Sequence, residues 1–130
     1  MKNRVILTAL VFITLQSLYS QKNVKSFLVV SYNVENLFDT INSPLFEDDE
    51  FTPSGTLAWT YDRYTKKLNE LGRVILSIPG KELPALIGLS EIENRGVVED
   101  LIKVRGIRKG EYEIVHEDDR DPRGIECALL

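Results

Sequence analysis

"VVSYNVENLF" (residues 29–38) decides how this chain is read, and "ALIGLSEIEN" (85–94) repeats its logic. Each is an apolar run that delivers amide and carboxylate side chains to its C-terminal end. Such groups are costly to bury without partners, so two strands ending this way point to one shared site. In layered α/β folds the C-terminal ends of strands face a crevice where ligands bind. The longer stretch "SFLVVSYNV" (26–34) has apolar residues on both faces, which predicts a strand buried on both sides.

Working outward, the hydrophobic period changes from Tyr61 onward. Tyr61, Tyr64, Leu68, Leu71, Ile75 and Ile78 recur at three- and four-residue steps, the pattern of an amphipathic helix. Thr60 is placed to cap it and Pro79-Gly80 to stop it. Between strand and helix, residues 39–60 read as a loop broken by Pro44, Pro53 and Gly55. Its acidic cluster, Glu47 to Glu50, lacks the alternating ligands and central glycine of a calcium loop and reads as solvated. "ALIGLSEI" follows Pro84 as a second short buried strand. "RGVVEDLIKV" (95–104) predicts a shorter helix with Asn94 as its cap, and Glu93 falls in the bend before it. "YEIVHED" (112–118) and "GIECALL" (124–130) predict two further strands, with Arg123 and Gly124 leading into the last. Strands alternating with helices define an α/β layered domain.

Composition bounds the chemistry. The chain has 130 residues, of which 43% are hydrophobic, enough for one domain with a real core. Its 16 basic and 20 acidic residues give a net charge of −4, so no broad basic surface for nucleic acid is present. A phosphate substrate stays open, because a metal ion can neutralise it. The single cysteine, Cys127, excludes an internal disulfide and a multi-cysteine zinc site; within "ECALL" it reads as a buried structural thiol. At the N-terminus, Lys2 and Arg4 precede the apolar run Val5–Leu15 and then Gln16, Ser17 and Ser20. That is the layout of a secretory signal peptide over residues 1–20. An uncleaved anchor is the alternative, but the run is short against the roughly 20 residues that span a bilayer. The expectation is export to the periplasm or beyond, with no anchor after cleavage and no protein partner marked. The apolar pattern also runs to Leu130 without a polar tail, from which an N-terminal portion of a longer domain is expected.

At the two strand ends, Glu91 offers a hard oxygen suited to Mg²⁺, which takes one or two carboxylates plus water and phosphate oxygens. Asn33 adds a neutral donor for a phosphate oxygen or an attacking water. Ordinary readings stand beside these: Asn33 and Asn36 can cap a turn, and Glu91 can pair with Arg95 one helical turn on. His116, the one histidine, reads as a surface or strand residue.

The same residues resemble the endonuclease/exonuclease/phosphatase superfamily, the metal-dependent phosphodiesterases that include deoxyribonuclease I, abasic-site endonucleases, neutral sphingomyelinases and inositol polyphosphate phosphatases. "SYNVENLF" is similar to its first strand signature and "ALIGLSEIEN" to its second, with Ser90 standing where a glutamine is usual. The intervening "RYTKKLNELGRVILSI" also fits. "RGIECALL" and "DDEFTPSGTLAWT" resemble secreted bacterial members, so that the likeness extends over the chain after Gln21. The resemblance implies the N-terminal half of a four-layer αββα sandwich, residues 21–130, following the signal peptide. It implies Mg²⁺ as cofactor, with Mn²⁺ or Ca²⁺ as alternatives. Glu91 becomes the principal metal ligand and a catalytic residue, and Asn33 a catalytic residue beside the metal and the scissile phosphate. The implied substrate is a phosphoester: nucleic acid, phospholipid head group or small phosphate ester. The family's catalytic histidine and Asp-x-Asn motif belong to its second half, so this portion alone is expected to be inactive. The alternative is a non-catalytic binding module of the same fold.

Overall fold

The computed structural model describes residues 26–78, 82–118 and 121–130. The leader at 1–20 and the Pro79-Gly80 stop lie outside those residues. Strand β1 (Val29–Leu37) leads through a long loop to helix α1 (Tyr61–Ser77), strand β2 (Leu86–Ile92) and helix α2 (Arg95–Lys103). Two short strands follow, β3 (Val115–His116) and β4 (Glu126–Leu129). The sheet order is β1-β2-β4-β3. β1 and β2 are parallel, as a strand–helix–strand crossover requires, whereas β4 is antiparallel to both β2 and β3. No helix among the described residues is long and apolar enough to cross a membrane.

Both helices lie over one face of the sheet. Tyr64, Leu68, Leu71 and Ile75 of α1 and Val97, Val98 and Leu101 of α2 join Val34, Ile87, Leu89 and Ile92 in a single core. Gly72 lets α1 approach closely, since a Cβ there would stand 2.7 Å from Val104 Cγ1. Asn94 caps α2 by accepting a hydrogen bond from the Val97 N–H at 3.1 Å, as its sequence position predicts. Thr60 occupies the corresponding position before α1 but makes no side-chain cap.

The opposite face has no covering layer among the described residues. Across the strands Val29 pairs with Leu86, Ser31 with Gly88 and Gly88 with Leu129, and Val29, Leu86 and Leu129 are exposed. β1 is therefore covered on one side rather than two, and Cys127 is exposed instead of buried because its strand position points to this open face. One sheet with helices on one side corresponds to the helix-plus-sheet half of the four-layer αββα sandwich.

Two other expectations change. The 39–60 loop is anchored: Trp59 is buried and donates from Nε1 to the Phe38 carbonyl at 3.0 Å, while Phe38 and Phe51 stack at 4.1 Å. Asp48 is not solvated but buried, with both carboxylate oxygens accepting from the Ser43 N–H; Glu47, Asp49 and Glu50 remain exposed. The strand expected over 112–118 shrinks to Val115–His116. Tyr112 and Ile114 pack against the core, and the Tyr112 hydroxyl donates to the Pro84 carbonyl at 2.5 Å.

Candidate active site

Because β1 and β2 are parallel, their C-terminal ends finish side by side. The regular register runs to Asn33 opposite Ser90 and resumes only at Leu37 opposite Ile92. Three residues of β1 and one of β2 occupy that gap. Glu35, Asn36 and Glu91 all take positive φ there, at 54°, 60° and 63°. Left-handed backbone at non-glycine residues costs on the order of 1–3 kcal/mol each and collects at functional sites. Simple alternation would put Glu91 on the covered face with Leu89 and leave Ile92 on the open face. The irregular backbone instead buries both Leu89 and Ile92. It also brings Glu91 to Asn33, whose Nδ2 donates to Glu91 Oε1 at 2.7 Å.

The Asn33 amide is fixed at both ends. Its Oδ1 accepts the Glu35 N–H at 2.8 Å, an Asx-type turn, so the capping role and the contact with Glu91 hold together. The alternative pairing of Glu91 with Arg95 does not form: Arg95 Nε meets Glu99 Oε1 at 3.1 Å and its Nη1 donates to the Ile114 carbonyl. Lys67 was not singled out by the sequence reading, yet it clamps the irregular end of β1 by donating to the carbonyls of Glu35 and Asn36. Burial lowers its pKa, opposed by the charges of Glu35 and Glu91. The available signal was its place beside Leu68 and Leu71, at the edge of the apolar stripe of α1.

On the other side of Glu91, Arg123 and Asp121 form a two-pronged ion pair, with Nε to Oδ1 at 3.0 Å and Nη2 to Oδ2 at 2.7 Å. These hydrogen bonds hold the Asp121 carboxyl below its usual range and raise Arg123, with a smaller contribution to the latter from Glu91. Glu91, Ser90, Ser31 and Arg123 line a shallow concavity on the open side. Glu93 has no part in it. Its carboxylate accepts the Asp39 N–H at 2.7 Å beneath the loop, and burial pushes its pKa up to about 7. His116 is a strand residue as expected but not a surface one: its side chain is 3% exposed and lies against Glu126.

The residues present fit a hard divalent ion. Glu91 Oε1 is oriented by Asn33, and Oε2 accepts no hydrogen bond among the described residues, leaving one carboxylate oxygen for a cation whose remaining positions are filled by water and phosphate. A carboxylate and an amide at adjacent parallel strand ends stand where layered α/β folds bind their ligands. A family profile described as the endonuclease/exonuclease/phosphatase family matches residues 28–130, and the chain belongs to that family. Its members are phosphoesterase- and nuclease-type hydrolases, generally dependent on divalent metals. Searches among curated proteins and among solved structures return no match.

Proposed function

We propose that this chain is the Asn33- and Glu91-bearing part of an exported, Mg²⁺-dependent phosphodiester hydrolase. The observation that carries the reading is the 2.7 Å bond from Asn33 Nδ2 to Glu91 Oε1 across two parallel strand ends. When bound, Mg²⁺ supplies charge neutralisation at a phosphoryl oxygen and at the leaving oxygen. Glu91 holds the ion through a carboxylate whose rotation Asn33 restricts. Asn33 in turn is held by the backbone of Glu35, so the pair is pre-organised before substrate arrives. Residues 1–20 direct export and residues 21–130 form the domain portion, which N-terminal sequencing of the exported product tests.

The second reading is a non-catalytic binding module of the same fold, in which the Asn33–Glu91 pair holds a phosphate-bearing ligand without hydrolysing it. Reading the gene past the Leu130 codon separates the two: an in-frame Asp-x-Asn and a late Ser-Asp-His favour the enzyme. Hydrolysis of bis(4-nitrophenyl) phosphate by the full gene product, titrated with Mg²⁺, is the direct assay. Glu91→Gln is expected to lower turnover about 10²-fold or more, the scale of losing one key electrostatic group. Unchanged turnover across the titration refutes the assignment. For residues 21–130 alone, we expect no hydrolysis.

A further inference from the structure

A second set of ligand-capable side chains, carried by β3, β4 and the residues following β3, borders the same concavity as Glu91. His116 on β3 pairs with Ala128 on β4, which pairs with Leu89 on β2, so all three belong to the helix-covered face. Glu126 lies two residues before Ala128 and shares that face, placing it diagonally across from His116, a separation that long side chains bridge. His116 Nε2 and Glu126 Oε2 stand 2.5 Å apart, and His116 Nδ1 is 3.8 Å from Asp118 Oδ1. The first two side chains are each 3% exposed, whereas that of Asp118 is 89% exposed. Among the described residues, these three supply ligand atoms that all lie within 4.8 Å of one another.

We propose that His116, Asp118 and Glu126 bind a transition-metal ion of the Zn²⁺ type at a site distinct from Asn33 and Glu91. One imidazole nitrogen with two carboxylate oxygens is a set that Zn²⁺ accepts, whereas an oxygen-only site suits Mg²⁺. Bonds of about 2.0–2.2 Å place the ligand atoms of a tetrahedral ion roughly 3.4 Å apart. The contact between His116 and Glu126 must therefore open by about 1 Å and Asp118 must swing inward. Asp118 is the one member free to move, because solvent surrounds its side chain. The strand register fixes the other two, and the exposed side leaves a coordination position for water. Glu126 has further interactions within the fold, and the ion binds in competition with them.

Calorimetric titration of the whole chain with ZnCl₂ in excess Mg²⁺ tests this. The expected result is one equivalent of Zn²⁺ bound, unaffected by Glu91→Gln or by Cys127→Ser. His116→Ala and Asp118→Asn are expected to weaken binding about 100-fold, at least the scale set by removing a supporting group from a metal centre. Asp118→Asn changes an exposed side chain, so an unaltered circular dichroism spectrum shows that its loss of binding is not unfolding. The proposal is overturned by absence of Zn²⁺ binding, by unchanged affinity in Asp118→Asn, or by loss of binding in Glu91→Gln or Cys127→Ser.

Discussion

On one face of the sheet Ile87, Leu89 and Ile92 are sealed beneath α1 and α2, whereas on the other Val29, Leu86, Cys127 and Leu129 meet solvent. The same short strands supply both sides. The covered face carries the cohesion of the domain, and the open face, where the strands lose their regular register, carries Asn33 and Glu91. Three of the five non-glycine residues with positive φ among the described residues, Glu35, Asn36 and Glu91, lie at this break in register, and Leu37 and Ile92 resume burial immediately afterwards.

The contrast breaks most visibly from the covered side. Ile87 is 0% exposed near the start of β2, and Ile87→Ala is expected to cost about 2–5 kcal/mol, the usual range for emptying a core position. Chemical denaturation measures it. A loss below 1 kcal/mol, similar to that for an open-face residue, means that the helices do not seal this face.

A titratable group buried under the loop sharpens the comparison next. Glu93 is 6% exposed, and its pKa rises from 4.5 to about 7, mainly through burial; Asp39 and Asp48 add to the rise, and hydrogen bonds from the Asp39 backbone and Asn94 oppose it. In the unfolded chain Glu93 ionises near 4.5, so between there and about 7 the folded state holds the proton longer. Stability from this group is therefore complete below 4.5 and is lost as pH rises through about 7. At about 1.4 kcal/mol per unit the loss is on the order of 3 kcal/mol. Glu93→Gln is expected to flatten the stability profile over that window and to exceed the parent at pH values above it. A parent profile that is already flat there excludes the buried, protonated carboxyl.

Much of this architecture is legible in the sequence, because hydrophobic period reports burial on one side of an element. The spacing of Tyr64, Leu68, Leu71 and Ile75 gave α1, and the polar ends of two apolar runs gave the neighbourhood of Asn33 and Glu91. What period cannot report is what covers a face. Cys127 sits in an apolar run and reads as buried, yet its exposure depends on a layer opposite the sheet and not on its neighbours in sequence. Likewise "YEIVHED" alternates like a strand, but only Val115 and His116 find a partner, in β4; Tyr112 and Ile114 turn back to the core. The left-handed backbone of Glu91 is equally invisible, since it arises from unequal residue counts between two paired strands.

The smallest expected effect on stability lies on the open face and gives a larger one on association. Val29 and Leu129 are 56% and 41% exposed, and with Leu86 and Cys127 they form apolar surface across three adjacent strands. Neither side chain fills a core position, so the double substitution Val29→Thr and Leu129→Thr removes little buried area while placing a β-branched, strand-compatible residue at both sites. Its cost is expected to stay within about 1 kcal/mol, the range of changes away from the core. Contiguous exposed apolar surface nonetheless favours contact with other chains. Sedimentation velocity on residues 21–130 is therefore expected to show concentration-dependent association of the parent and a shift toward monomer in the double variant, with little change in denaturation midpoint. A parent that stays monodisperse at high concentration contradicts this reading of the face. A double variant that loses stability like Ile87→Ala erases the distinction between the two sides, because it requires Val29 and Leu129 to be part of the core.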